Sequence, residues 1–216
     1  MILDAPIMAL RRLAIPKAKL PPPEICDFCS VALSPHHRHL LEVSNRKIVC
    51  SCDACALRFE NIANSRFKLI PRESRTLSNF HISDSEWDDL ALPIGLVFIF
   101  QNGSTGRPMA IYPSPAGATE SLLSLESWQN ITAKNPCLEE LKPDVEALLI
   151  NRVGNARDYF IVPIDACFEL VGLIRKNWRG LSGGEKVWAE IKTFFTRLHE
   201  KNGRGIGQNL IEETDA

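Results

Sequence analysis

Two short stretches, Cys26-Asp-Phe-Cys29 and Cys52-Asp-Ala-Cys55, decide how the front of the chain is organised. Each is a Cys-x-x-Cys pair, and the two-residue gap lets both sulfurs of a tight turn face one ion. Two such pairs at this separation are typical of a tetrahedral four-cysteine site. The spacing therefore predicts that all four cysteines, Cys26, Cys29, Cys52 and Cys55, bind a single metal ion.

Zinc is the expected metal, because all-sulfur tetrahedral coordination suits Zn²⁺, and iron in a rubredoxin-like centre is the alternative. Four protein ligands leave no open position for a substrate, so the ion is expected to be structural and not catalytic. Bound zinc also supplies folding free energy on the order of 10 kcal/mol in small zinc domains. No other cofactor and no catalytic residue is predicted.

The residues around the two pairs predict a small metal-binding module over 25–65. Short strands are expected at 39–43 and 47–51, with turn residues between them. From Cys52 to Ala63 the apolar residues recur at the three- to four-residue steps of a helix. A turn with the first pair, a hairpin, and a helix that begins with the second pair resemble a treble-clef zinc finger.

Four further side chains of metal-ligating type lie inside this module, and their roles stay open. The thiol of Cys50 can replace Cys52 as a ligand or face away from the site. A histidine can replace a cysteine ligand or belong to a second, more open site; the alternative is an exposed or hydrogen-bonded polar side chain. These four residues are Cys50, His36, His37 and His39.

The chain after the module predicts an α+β domain over residues 66–201. Two hairpins are expected, the first from strands at 94–100 and 109–112, the second from strands at 145–152 and 159–163. Amphipathic helices follow them toward the C-terminus. The fold class is therefore α+β: a small treble-clef-like four-cysteine module, then an antiparallel sheet with C-terminal helices packed on one face.

Local signals predict where several helices begin. Ser83 with Glu86 has the Ser-x-x-Glu pattern of a capping box, and Ser182 with Glu185 repeats it before the last helix. Asp165 is expected to be the N-cap of the preceding helix.

The segments outside these elements are predicted from their composition. Residues 1–24 contain three consecutive prolines at their end and are expected to form a flexible arm. The small residues of 113–119 are expected to connect the sheet to a helix over 120–134. Residues 202–216 are expected to be a loose tail.

The charges of the 216-residue chain nearly cancel, since 25 basic residues stand against 26 acidic ones. Without a strong positive field, nucleic acids and anionic membranes are not expected as partners. No apolar run reaches the roughly 18 residues that a membrane span needs. We therefore expect a cytoplasmic protein, in whose reducing surroundings paired cysteines hold metal more often than they form disulfides.

Six stretches are similar to one uncharacterised bacterial family, and the resemblance runs from about residue 24 to residue 200. They are Cys26-Asp-Phe-Cys29, His37-Arg-His-Leu-Leu41, Cys50-Ser-Cys-Asp-Ala-Cys55, Tyr112-Pro-Ser-Pro-Ala-Gly-Ala-Thr-Glu-Ser121, Leu170-Val-Gly-Leu-Ile-Arg175 and Trp178-Arg-Gly180. Members are encoded beside nickel–iron uptake hydrogenases of the oxygen-tolerant kind, next to iron–sulfur scaffold and hydrogenase maturation genes. The resemblance implies an accessory role and carries over no catalytic residues.

The metal signal and the resemblance together predict a non-enzymatic accessory or assembly protein for a nickel–iron hydrogenase. Its partner would be a protein, such as a hydrogenase subunit or a maturation factor. The alternative is a rubredoxin-like electron-transfer protein with iron in the same four-cysteine site. A third interpretation, an enzyme that uses His37 or His39 with Cys50, needs a geometry that sequence alone does not supply.

Overall fold

A computed structural model describes residues 23–59, 62 and 65–208 of the protein, with the last six of these as backbone only. Nearly all of the predicted N-terminal arm, residues 1–22, lies outside the described residues. The same holds for residues 209–216 of the predicted tail.

A three-stranded antiparallel sheet follows the first cysteine pair. Its central strand β1 (Arg38–Glu42) pairs with β2 (Lys47–Ser51) on one side and with β3 (Phe67–Leu69) on the other. A short helix, α1 (Asp53–Leu57), follows β2 directly. The predicted order of turn, hairpin and helix is thus present.

Helix α1 ends at Leu57, whereas the periodic apolar residues predicted a helix that continues to residue 63. The amide of Arg58 donates to the carbonyl of Cys55, and the amide of Phe59 donates to the carbonyl of Ala56. These bonds reach back three residues instead of four, and such tightening is how many helices end.

The two faces of β1 contribute to two different cores, because successive strand residues point to opposite sides of a sheet. Leu40 packs with Val49 and Ala56 in a small core inside the module. Leu41 belongs instead to the large core of the rest of the protein, where Ile70 also lies. The module is therefore packed onto the main domain through β1.

The main domain contains a six-stranded antiparallel sheet with the strand order β4-β9-β8-β5-β6-β7. The two central strands, β5 and β8, are buried along almost their whole length. Both predicted hairpins are present, as β5–β6 and β8–β9. The strands are β4 (Arg75–Thr76), β5 (Leu96–Gln101), β6 (Pro108–Ser114), β7 (Gly117–Ser121), β8 (Glu146–Asn151) and β9 (Asp158–Pro163).

Helices cover both faces of this sheet. The C-terminal helices α4 (Ile164–Asn177) and α5 (Glu185–Gln208) pack on one face, as predicted, and α5 extends past the start of the expected tail. The shorter helices α2 (Asp84–Asp89) and α3 (Leu125–Lys134) lie on the other face. Within the part of the chain that is described, no helix has the length and apolar character needed to cross a membrane.

The segment 113–119 is the tip of a hairpin, so its prediction as a connector from sheet to helix was wrong. Ser114 pairs with Gly117, which leaves Pro115 and Ala116 as a two-residue turn between β6 and β7. The Ser114 hydroxyl donates to the Gly117 carbonyl and accepts from the Ala116 amide. Gly117 has a φ of 126°, a backbone conformation that glycine adopts without strain.

Helix α3 consequently begins at Leu125, later than the predicted start at residue 120. The residues before it form β7, and Ser124 is the N-cap, because its hydroxyl accepts a hydrogen bond from the amide of Ser127. A serine in this position satisfies one of the free N–H groups that every helix start presents.

Two of the predicted helix starts were also wrong. Helix α4 begins at Ile164 immediately after β9, so that Asp165 lies inside its first turn and Pro163 occupies the N-cap position. Helix α5 begins at Glu185, and Ser182 lies in the preceding turn, where its carbonyl accepts from the indole N–H of Trp188. The capping box of Ser83 and Glu86 is confirmed.

A buried side chain, Asn135, ties helix α3 to the segment before α2. Its Oδ1 accepts from the amide of His81 at 2.8 Å, while its Nδ2 donates to the carbonyls of His81 and Ile131 at 3.0 and 2.8 Å. Only 1% of Asn135 is exposed, so water cannot replace these bonds.

Replacing Asn135 by alanine removes three hydrogen bonds and leaves the carbonyl of buried Ile131 without this partner, and a buried group without a partner costs roughly 1–3 kcal/mol. We expect Asn135→Ala to lower the free energy of unfolding by about 2 kcal/mol or more, measured by urea denaturation. The control is Asn130→Ala on an exposed position of the same helix, which should change stability little. Equal effects of the two changes would contradict this account.

The Glu86 carboxylate accepts from the Lys134 ammonium and from the amide and hydroxyl of Ser83. These bonds, that of Lys134 first, lower the pKa of Glu86 from 4.5 to about 2. Because the pKa is lower in the folded state, the stabilisation is complete above pH 4.5 and is lost as the pH falls toward 2.

We therefore expect Glu86→Gln to destabilise the protein at pH 7, and this difference from the unmodified protein should shrink as the pH falls below 4.5. Urea denaturation across this pH range measures both. Glu140→Gln, at an exposed glutamate, is the matched control and should follow the unmodified protein at every pH. A difference that stays constant with pH would exclude the charge of Glu86 as the cause.

Candidate metal centre

The four predicted cysteines converge in space. Their sulfur atoms all lie within 4.8 Å of one another, and the sulfurs of Cys29 and Cys52 are 3.7 Å apart. A tetrahedral zinc ion with Zn–S bonds of about 2.3 Å holds its sulfurs about 3.8 Å apart. The cluster of Cys26, Cys29, Cys52 and Cys55, called the four-cysteine cluster below, therefore fits such an ion.

All seven cysteines of the chain are free thiols. The 3.7 Å between the sulfurs of Cys29 and Cys52 is far longer than a disulfide bond of about 2.05 Å. The sulfurs are thus arranged around a common centre and are not linked to one another.

A tight turn presents the first cysteine pair. The Cys26 amide donates to the Val31 carbonyl at 2.9 Å, and the Ser30 amide donates to the Cys26 carbonyl at 2.8 Å. Ser30 has a φ of 61°, which reverses the chain sharply just after Cys29. The turn therefore places both sulfurs on one side.

Asp27, between the two cysteines of this pair, fixes the turn to the edge strand β2. Its amide donates to the carbonyl of Cys50 at 2.9 Å, and its carboxylate accepts from the amide of Cys50 at 2.6 Å. Sequence reasoning did not identify this role. The sequence shows that an acidic residue lies between the two cysteines, but it does not indicate that this residue binds the backbone of Cys50.

Helix α1 presents the second pair. Cys52 is the N-cap, and its sulfur accepts from the amide of Cys55 at 3.5 Å. Such N–H···S bonds partly offset the negative charge that a metal-binding sulfur carries. The start of a helix thus gives both cysteines a fixed position beside the first pair.

Three phenylalanine rings hold the turn against the rest of the module. Phe28, which lies between Cys26 and Cys29, packs against Phe59 after α1 and Phe67 in β3, with ring centroids 5.2 Å apart in every pair. Aromatic contacts of this geometry contribute about 0.5–1.5 kcal/mol beyond buried area. They couple the first cysteine pair to the helix that carries the second.

The pKa values of the cluster differ sharply from one sulfur to the next. Burial opposes ionisation of Cys26, but backbone N–H groups, including those of Cys52 and Phe28, outweigh it and lower the pKa of this thiol to about 6. The hydrogen bond with Cys52, together with burial, raises the pKa of Cys55 to about 12. Ionisation of all four thiols together therefore requires a nearby cation to offset their repulsion.

Cys50 is not part of the four-cysteine cluster but lies beside two histidines. It faces His39 directly across the β1–β2 pair. One nitrogen each of His37 and His39 lies within 4.8 Å of the Cys50 sulfur and of the other. His36 is exposed and outside this group. We call His37, His39 and Cys50 the histidine–cysteine cluster.

Asp165 at the start of α4 reaches this second cluster from the main domain. Its Oδ2 is 2.7 Å from Nδ1 of His39. The hydrogen bond with Asp165 raises the pKa of His39 above 6.5, against the opposing effect of burial. Sequence reasoning assigned Asp165 to helix capping, because its partner is distant in the chain.

The profile of a family of unknown function, DUF5947, matches residues 25–202, a segment that contains both clusters and both sheets. No curated protein and no solved structure matches the chain. The matched segment is well over half of the sequence, and the protein therefore belongs to the DUF5947 family of unknown function.

Proposed function

We propose that the four-cysteine cluster holds one structural zinc ion and that the protein is a non-enzymatic accessory protein of a nickel–iron hydrogenase. The observation that carries the metal assignment is the convergence of four sulfurs within 4.8 Å. The donor set consists of sulfur alone, which favours zinc in a tetrahedral site.

The small size of the module's own core supports a structural role for the ion. Among the residues of the module that the structure describes, this core consists of buried Leu40, Val49 and Ala56 with a few partly buried neighbours. So few apolar side chains do not stabilise a module without a further constraint, and bound zinc commonly supplies it. With all four ligands from the protein, the ion has no position left for a substrate.

Exposed apolar side chains on the module support a protein partner. Large exposed apolar residues close together on a surface are typical of interaction sites. Several lie on the turn of the first cysteine pair, at the end of α1 and after it: Ile25, Phe28, Val31, Leu57 and Ile62. A metal-stabilised module would hold this surface in a fixed shape for recognition.

The choice of a hydrogenase as the partner rests on the six stretches of this chain that resemble one uncharacterised bacterial family. Similar proteins are encoded beside nickel–iron uptake hydrogenase and maturation genes, which favours a hydrogenase subunit or a maturation factor as the partner. The proposal places the protein in the cytoplasm with those factors.

Electron transfer is the second candidate, with iron in the same cluster. The observation that favours it is the exposure of Cys29, because a ligand at the surface shortens the path to a redox partner. A rubredoxin-like centre would give red protein with a reversible one-electron couple, whereas structural zinc gives colourless protein.

We expect purified protein to contain zinc, and Cys29→Ser to lower the metal content by one ion per chain. Loss of one of four sulfur ligands weakens the site and should also reduce the melting temperature. Cys137→Ser, at a cysteine outside both clusters, is the control and should leave both quantities unchanged. Metal analysis and thermal denaturation measure them.

Unchanged metal content in Cys29→Ser would contradict the four-cysteine site. Iron with a reversible couple in the unmodified protein would instead favour electron transfer.

The accessory role predicts that deletion of the gene lowers the amount of assembled, active hydrogenase in a host that encodes both. The unmodified protein and Cys137→Ser should restore it, and Cys29→Ser should not, because the partner surface depends on the metal-stabilised module. Hydrogenase activity and copurification of the partner are the measurements. Normal hydrogenase assembly in the deletion strain would overturn the proposal.

A further inference from the structure

The two imidazoles of the histidine–cysteine cluster point their Nε2 atoms at each other across 3.1 Å. Their rings stand nearly perpendicular, at 89°, with centroids 4.7 Å apart. The Nδ1 atoms face away from this contact. That of His37 lies 2.9 Å from the carbonyl oxygen of Ser34, and that of His39 lies 2.7 Å from the carboxylate of Asp165.

These Nδ1 partners decide where the ring protons are. A carbonyl oxygen only accepts hydrogen bonds, and so does a carboxylate, so both Nδ1 atoms carry protons. In neutral imidazoles the two Nε2 atoms then both carry lone pairs. Two lone pairs at 3.1 Å repel each other unless a cation lies between them.

The Cys50 sulfur distinguishes a metal ion from a shared proton as that cation. It lies within 4.8 Å of one ring nitrogen of His37 and of one ring nitrogen of His39, which gives three possible metal donors in one place. Zinc bonds of about 2.0–2.1 Å to nitrogen place two tetrahedral nitrogen ligands about 3.3 Å apart. The observed Nε2 separation is close to this value.

The surroundings of the cluster resemble those of metal-binding histidines. Such histidines generally donate their second N–H to a carboxylate or a carbonyl, which fixes the ring and raises its basicity. His39 does so to Asp165, and His37 does so to Ser34. The His37 side chain is only 5% exposed, and the backbone of Cys50 is fixed by Asp27.

An open cleft borders the cluster. Its volume is about 730 Å³, and both histidines and Asp165 line it. The cleft lining is of mixed charge, because Glu169 lines it as well and pairs with Arg197 at 3.2 Å. With three protein ligands, a bound ion would keep one position for water or for a small ligand that enters the cleft.

We propose that His37, His39 and Cys50 hold a divalent transition-metal ion, zinc by the nature of the ligands, whose remaining coordination position faces this cleft. The site adds a ligand-binding function to the structural role proposed for the four-cysteine cluster. It uses different side chains, so each site can fail in experiment without the other.

The test is equilibrium dialysis of the unmodified protein against Zn²⁺, and against Co²⁺ for its visible spectrum. We expect two ions per chain. His39→Gln and Cys50→Ser should each remove one ion, and Cys50→Ser should also remove the Co²⁺ spectral signature of mixed nitrogen and sulfur coordination. His36→Ala and Cys137→Ser are the matched controls and should retain both ions.

Cys29→Ser separates the two sites, because it should lose the four-cysteine ion and keep the histidine–cysteine ion. One ion per chain, unaffected by His39→Gln and by Cys50→Ser, would overturn the second site and identify the cation between the histidines as a proton. Hydrogen exchange of each variant shows whether it is folded. If Cys50→Ser is unfolded, His39→Gln decides the test, because the His39 side chain is partly exposed and its replacement disturbs the fold less.

Asp165 acts as a positioning residue, and its replacement gives an independent readout. Loss of such a hydrogen bond to a ligating histidine typically weakens metal binding 10–100-fold. We expect Asp165→Ala, which removes the acceptor, to raise the dissociation constant at the second site by this factor and to leave the four-cysteine ion bound. Equal affinity in Asp165→Ala and the unmodified protein would contradict the assignment.

Discussion

The convergence of four cysteine sulfurs is the constraint on which the structure of the N-terminal module depends. Sulfurs within 4.8 Å cannot all ionise in isolation, because the first thiolate to form opposes the others. Backbone N–H groups lower the pKa of Cys26 to about 6 in spite of burial, while the hydrogen bond with Cys52 and burial raise the pKa of Cys55 to about 12. A bound cation would attract all four thiolates and offset their mutual repulsion. Binding of the proposed ion is therefore coupled to folding of the module.

Strand β1 transmits the position of the module to the rest of the protein. Leu40 points into the module's core, while its neighbour Leu41 points into the core of the main domain. His39 lies on the Leu41 side and reaches Asp165 of α4. One five-residue strand thus contributes to two cores and to the second cluster, so its register fixes all three at once.

The sequence was sufficient for features that depend on short-range spacing. The gap between paired cysteines, the apolar run of β5 and the Ser83–Glu86 capping box each specify their structure locally. Prediction failed where the same residue types are common in two kinds of structure. The small residues of 113–119 are compatible with the tip of a hairpin and also with a connection from sheet to helix. It also failed where the partner is distant, as for Asp165 with His39 and Asn135 with His81.

The two clusters meet at strand β2, so that binding at one favours binding at the other without being required for it. Asp27, between Cys26 and Cys29 of the four-cysteine cluster, hydrogen-bonds both the amide and the carbonyl of Cys50 in the histidine–cysteine cluster. An ion that orders the first turn therefore also fixes the sulfur that faces His39. By thermodynamic linkage the reverse holds equally: whatever binds Cys50 and the histidines favours the position of β2 that the four-cysteine cluster requires.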